Sequence, residues 1–366
     1  MFEDKKVSFT RDSNIFLVHF PKKLIPGQRF EVKIFFNGIP PEAKNAPWDG
    51  GFVWAKDARG NPWVGLACEG IGASCWLPCK DHLNDEPEDG VEMRLIVPEK
   101  SVGVSNGRLV AKKQMVNQTM MYHWRVTSPI NPYNISINVG NYAHLSNSYT
   151  GAKGKLSLDY YVLTYNADTA QKHFKQVQGM LSCFEKYFGP YPFWSDGYKL
   201  VETPYWGMEH QSCVAYGNNY KNNTWGFDFI IIHESGHEYF GNSLSMADAA
   251  EMWIHESFTT YSETIYMECL YGKEKAFEYL SAQRKNIKNL RPMIGPFGVY
   301  YHGREDNDIY YKGAWVLQTL REALNNDSLF LGFLKHLTMG NSHENITTRE
   351  IITQCNQITG INWDVF

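Results

Sequence analysis

The stretch His233-Glu234-Ser235-Gly236-His237, with eighteen residues between it and Glu256, restricts what this chain can fold into more than any other feature. Histidines four apart stand one helical turn apart on the same face. Two neutral imidazoles so placed can hold one Zn²⁺, and a carboxylate from a second helix can supply a third ligand. The fourth position then stays open for water, as a catalytic zinc site requires. Glu234 leans over the same face and can take a proton from that water. The sequence around the motif favours a helix: residues 227–232 run apolar into it, and Gly241-Asn242 offers a stop. Residues 253–263 read as a second helix bearing Glu256, so a helix, a connection and a returning helix would bring the carboxylate back to the histidines. The alternative, two core histidines and a surface carboxylate, leaves the spacing of the third ligand without a reason.

Residues 1–163 read as strands and turns. The segments 31–36, 93–97, 134–139 and 156–162 are short and β-rich, separated by Gly, Pro and Asn clusters. The character changes at Asp168. From there Phe174, Val177, Leu181, Phe184 and Phe188 mark one helical face, which Gly189-Pro190 terminates. The remainder reads as mainly helical, apart from a strand near residues 198–201. The expected architecture is therefore α+β and multidomain, with a β-rich N-terminal domain over residues 1–163 and a mainly helical domain over 164–366.

A formal charge of −4 gives no electrostatic footprint for nucleic acid. No apolar run approaches the length of a transmembrane segment, and the first residues lack the layout of a signal peptide. The seven cysteines show none of the dense spacing of a disulfide scaffold, and Cys75 and Cys79, with no second pair beside them, read as small core residues. Nothing in the sequence sets an oligomeric state.

Four motifs in order carry a specific resemblance. The form HESGHEYFGN…WIHESFTTYSE resembles the gluzincin zinc aminopeptidases, the relatives of aminopeptidase N and leukotriene hydrolase. Upstream, Tyr205-Trp206-Gly207-Met208-Glu209-His210 resembles that family's GAMEN exopeptidase motif. Downstream, Tyr310-Tyr311-Lys312-Gly313 matches its Tyr-x-Lys-Gly element. Near the start, Cys68-Glu69 and Pro78-Cys79-Lys80-Asp81 resemble its first-domain signature.

The resemblance implies a thermolysin-like catalytic domain, one Zn²⁺ per chain held by His233, His237 and Glu256, and Glu234 as general base. It implies Tyr310 as the donor to the tetrahedral oxyanion, and Glu209, with Glu69, as the anchor for a substrate's free α-amine. Tyr205, Trp206, Gly207 and Met208 are implied along an edge strand that receives the substrate backbone. The expected substrates are peptides with a free N-terminus. An epoxide hydrolase or bifunctional enzyme, and a non-catalytic scaffold, remain as alternatives. Overall similarity implies an exported, envelope-facing bacterial peptidase, and both ends of the chain read as truncated relative to the family.

Three departures stand out: His210 replaces the GAMEN asparagine, His255 stands where asparagine usually precedes the zinc-binding glutamate, and Trp206 fills a position often occupied by glycine. Glu263, two turns beyond Glu256, reads either as the acceptor that orients a ligating histidine or as a solvated carboxylate.

Overall fold

Alternation of apolar and polar residues builds most of the first half of the chain. The computed structural model describes residues 1–2, 4–299, 301 and 306–366. Met1–Pro40 form one compact unit, which carries an antiparallel hairpin of β1 (Ser8–Asp12) and β2 (Ile15–His19). The strand expected over residues 31–36 does not form. Val32 makes a single isolated bridge to Phe2, and among the described residues no sheet edge accepts the rest of the segment. A strand without a partner leaves its backbone groups to water and has no ladder to hold it.

Pro41–Phe366 form the second unit. Its first strands are β3 (Gly51–Lys56), β4 (Pro62–Ala67), β5 (Val91–Pro98), β6 (Val102–Val104), β7 (Arg108–Gln114), β8 (Thr119–Val126) and β9 (Asn138–Gly140). They make one sheet in the order β3-β4-β9-β6 and another in the order β5-β8-β7. In β5, Leu95 and Val97 are buried while Ile96 points out, the period of two that the sequence displays. The strand expected from residue 134 starts only at Asn138. Residues Pro132–Asn134 form a 3₁₀ turn instead, capped by Asn131, whose side chain accepts from Tyr133 N at 3.3 Å.

Next come β10 (Tyr142–Gly151), β11 (Gly154–Leu163), β12 (Tyr198–Glu202), β13 (Gly207–Met208) and β14 (Val214–Tyr216), which form one five-stranded sheet in the order β10-β11-β12-β14-β13. β11 pairs in parallel with β12, and β12 with β14, while β13 runs antiparallel to β14 at the sheet's end. The change of character near residue 164 is thus a change of secondary structure inside one sheet. The expected boundary between residues 163 and 164 would cut the β11–β12 ladder.

The helices are α1 (Ala167–His173), α2 (Gln176–Phe188), α3 (Phe229–Gly236), α4 (Trp253–Tyr271), α5 (Lys273–Gln283), α6 (Asp308–Leu324), α7 (Asp327–Gly340) and α8 (Thr348–Thr359). Short strands β15 (Leu244–Met246) and β16 (Glu344–Ile346) pair in parallel. The face read from Phe174 to Phe188 is buried throughout and α2 ends at Gly189, as expected. A turn at Phe174–Lys175 divides α1 from α2. Every residue of α4 from Trp253 to Met267 is buried, so this helix is the axis around which the others pack. Cys183 and Cys269 form a disulfide joining α2 to the end of α4. With the partners 86 positions apart in the chain, sequence spacing carried no sign of it. Among the described residues no helix is long and apolar enough to cross a membrane.

Candidate metal centre

α3 begins at Asp228, whose carboxylate accepts from Ile230 N at 3.1 Å and caps the helix. Ile230, Ile231 and Ile232 drive it into the core. The helix stops at Gly236 with His237 as its C-cap, earlier than the Gly241-Asn242 stop expected. Two glycines shape this end of the helix and the turn beyond it. A Cβ on Gly236 would lie 2.5 Å from Ser262 Oγ, so glycine lets α3 and α4 approach closely. Gly241, at φ +136°, turns the chain where a Cβ would sit 3.1 Å from His237 Nδ1.

The close approach of α3 to α4 brings the three expected ligands together. His233 Nε2 and His237 Nε2 lie 3.7 and 3.4 Å from Glu256 Oε2. The other ring nitrogens are committed. His233 Nδ1 donates to Glu263 Oε1 at 2.7 Å, and His237 Nδ1 donates to Phe240 O at 3.0 Å. These partners fix the tautomers, leaving both Nε2 lone pairs aimed at one point. Glu263 is itself held by the Tyr279 hydroxyl and by Gln283 Nε2 at 3.3 Å.

Glu256 Oε2 is buried and has no hydrogen-bond partner among the described residues. A buried carboxylate oxygen without a donor is costly, and the arrangement calls for a cation at that point. With no metal bound, burial opposes the charging of His237, yet Glu256 overrides it and pushes the imidazole up to about 9, so that a proton takes the place a cation would fill between them. Burial likewise works against ionisation of Glu256, but His237 and His233 hold it well below the usual carboxylate range. The ligand atoms of His233, His237 and Glu256 all lie within 4.8 Å of one another. Two imidazoles, one carboxylate and an open direction are the donor set of a catalytic zinc. The residues fit the metal.

The open side is lined by carboxylates. Burial, partly offset by His233 and His237, pushes Glu234 up to about 7. Its Oε1 would lie 2.7 Å from a Cβ at Gly207, so glycine there lets β13 lie against Glu234. Glu209 follows β13 and is buried. Burial, then the charge of Glu69, pushes it up to about 8. Tyr133 donates to Glu209 Oε1 at 3.2 Å, and Asn242 Nδ2 donates to the Glu209 carbonyl at 2.7 Å. Tyr133 was missed from sequence; its only signal was a tyrosine behind a capped Asn-Pro turn.

Tyr310 stands in the first turn of α6 and donates to Glu256 Oε1 at 3.0 Å. Gly313 explains its reach. A Cβ there would lie 1.6 Å from Ser257 Oγ, so α6 can cross α4 this closely only with glycine at the contact.

Several sequence expectations need correction or sharpening. Tyr205 precedes β13 rather than lying on it, and its buried side chain turns away to donate to Leu66 O at 2.8 Å. Met208 lies on β13, but its side chain packs in the core, leaving only its backbone for the groove. His255 faces away from the metal point, accepting from Met246 N at 3.2 Å and so tying β15 to α4. His210 is fully buried and held down to about 3 by burial, a neutral ring outside the ligand cluster.

Comparison with known proteins agrees with this geometry. The profile of the Peptidase family M1 domain matches residues 173–366. Mouse (Mus musculus) endoplasmic reticulum aminopeptidase 1 is 21% identical over 257 residues, 65% of this chain and 27% of the relative. Leukotriene A-4 hydrolase of Xenopus laevis is 23% identical over 308 residues, 79% of this chain and 49% of the relative. The chain therefore spans a quarter to a half of the length of these curated relatives. Among solved structures, an M1 zinc metallopeptidase from Deinococcus radiodurans bound to a Tyr-Ser-Ala substrate superposes with a TM-score of 0.81 at 20% identity. The match covers 99% of this chain and 80% of that one.

Proposed function

The chain belongs to peptidase family M1, and on that premise we propose that it is a zinc-dependent aminopeptidase, removing N-terminal residues from peptides. The observation that carries this reading is the buried donor triad with Glu209 clustered against Glu234 and His237, the charge of Glu69 acting on Glu209, and β13 at the end of its sheet beside them.

His233, His237 and Glu256 would hold the zinc, which when bound supplies a Lewis acid that acidifies water and polarises the scissile carbonyl. Glu234 takes the proton from the attacking water and returns it to the leaving amine, the two transfers a carboxylate beside the ligands is placed to make. Tyr310 turns its hydroxyl from Glu256 to the developing oxyanion, donating without adding a competing base. Glu209, steadied by Tyr133 and assisted by Glu69, pairs with the substrate's ammonium. That pairing fixes the distance from the terminus to the cut, so that one residue is removed at a time. The outer edge of β13 offers backbone groups to an extended peptide.

No observation favours an epoxide hydrolase, and a catalytically silent scaffold would not be expected to keep every ligand and the base. The reading extends to an exported, envelope-facing location in a bacterium, for which the Cys183–Cys269 disulfide is a supporting feature.

The test separates chemistry from metal binding. Glu234→Gln and Tyr310→Phe are expected to keep zinc yet lose on the order of a hundredfold or more in turnover. Near-normal turnover with zinc retained in either variant would remove that residue's assigned role.

A further inference from the structure

An aromatic ladder runs outward from the metal point. The Phe229 ring stacks on His233 with centroids 5.1 Å apart and an interplanar angle of 24°, and Trp206 stacks on Phe229 at 5.6 Å and 24°. Trp48 approaches Trp206 at 6.5 Å with a tilt of 58°. The ladder ends in solvent: Trp206 is 45% and Trp48 51% exposed. Trp206 is nevertheless fixed. Its indole Nε1 donates to Asn218 Oδ1 at 3.2 Å, and Asn218 Nδ2 donates to Asp228, the cap of α3, at 2.8 Å. An exposed indole, held on one face and by its N–H, has little freedom left to lose when something stacks on it.

The polarity of the groove says what that would be. Glu209 stands at one end of β13 and Gly207 lies against Glu234; Trp206 comes next, on the far side. A peptide running antiparallel to this edge, its ammonium at Glu209 and its scissile carbonyl at Glu234, passes its second residue beside Trp206. We propose that Trp206 and Trp48 form a recognition platform for an aromatic side chain on the second residue of the substrate, the first residue of the leaving peptide. This inference rests on the aminopeptidase reading and deepens it. It also gives a direction to the tryptophan found where glycine is common in the family: the platform selects on the leaving side of the cut, whereas the carboxylates select on the amine side.

The experiment compares tripeptides Ala-X-Ala with X as Ala, Phe or Trp. With the zinc-loaded protein, kcat/KM for Phe or Trp should exceed that for Ala by about three- to tenfold, the range of an aromatic stacking contact. The ratio should fall towards one in Trp206→Gly, be partly restored in Trp206→Phe, and drop in Trp48→Ala. Cleavage of all three peptides at equal efficiency, or an unchanged ratio in Trp206→Gly, would overturn the platform while leaving the aminopeptidase standing. Failure to cleave any of the three would count against the aminopeptidase itself. Peptide binding to the Glu234→Gln variant decides the platform without turnover: tighter binding of Ala-Phe-Ala than of Ala-Ala-Ala supports it, and equal binding overturns it.

Discussion

Each imidazole of the candidate centre has one nitrogen committed to a fixed acceptor and the other turned towards Glu256. The protein therefore holds the donors in register before any metal arrives. Replacing His233 or His237 by Ala should abolish zinc binding, and Glu256→Ala should weaken it, as metal analysis of the purified variants would show. Glu263→Gln should reduce zinc affinity by about ten- to a hundredfold with the ligands intact, since the carboxylate that orients His233 would be gone. Competition with a chelator measures this, and an unchanged affinity would show that Glu263 does not tune the site. The clustering of His233, His237 and Glu256, and the contact of Glu263 with His233, were legible in sequence because helical spacing puts each pair on one face. Tyr133 was not, because it meets Glu209 across 76 residues of chain. The side-chain direction of Tyr205 was equally hidden, since it depends on the close passage of β4 at Gly65.

At the scale of elements, the site exists because α3 and α6 both press closely against α4. Gly236 and Gly313 permit those contacts. Gly313→Ala should force α6 outward, destabilise the fold by about 1–3 kcal/mol and lower turnover more than zinc content, because Tyr310 moves and the ligands do not. Thermal unfolding and metal analysis on the same preparation check this. Farther from the metal, Arg321 joins three helices, donating to Glu268 on α4 at 2.8 Å and to Asp327 at the start of α7 at 2.8 Å. Arg321→Met should cost about 1–3 kcal/mol in denaturant unfolding, since it leaves the half-buried Glu268 without its hydrogen-bonded cation. The hydrogen bond from Arg321 lowers Asp327 from 3.8 to about 2. Its stabilising contribution is present above the unfolded value and lost as pH falls towards 2. Arg321→Met should therefore remove part of the acid sensitivity over that range.

Across the whole molecule, the sequence conveyed class and order better than boundaries. Helical and strand periods are local properties, so α2, α4, β5 and β11 could be read directly. Sheet membership is not local: β11 and β12 are joined by a parallel ladder over a helical crossover, which is why a boundary at residue 163 reads plausibly from sequence although it would cut that ladder. The segment at residues 31–36 failed for the same reason, having β character but no edge to pair with. The five-stranded sheet places its terminal strand, β13, beside the metal point with one edge open. The proposed function rests on that placement.

The aminopeptidase claim turns on counting from a free terminus. One peptide, assayed with the zinc-loaded protein both free and N-acetylated, tests it most directly. Acetylation removes the ammonium and adds bulk, so buried Glu209 loses the cation proposed to pair with it, a loss of several kcal/mol on the scale of about 3–5 for a broken buried pair. The account predicts release of the N-terminal residue from the free peptide and almost none from the acetylated one. Equal rates on the two, or cleavage at internal bonds only, would contradict it.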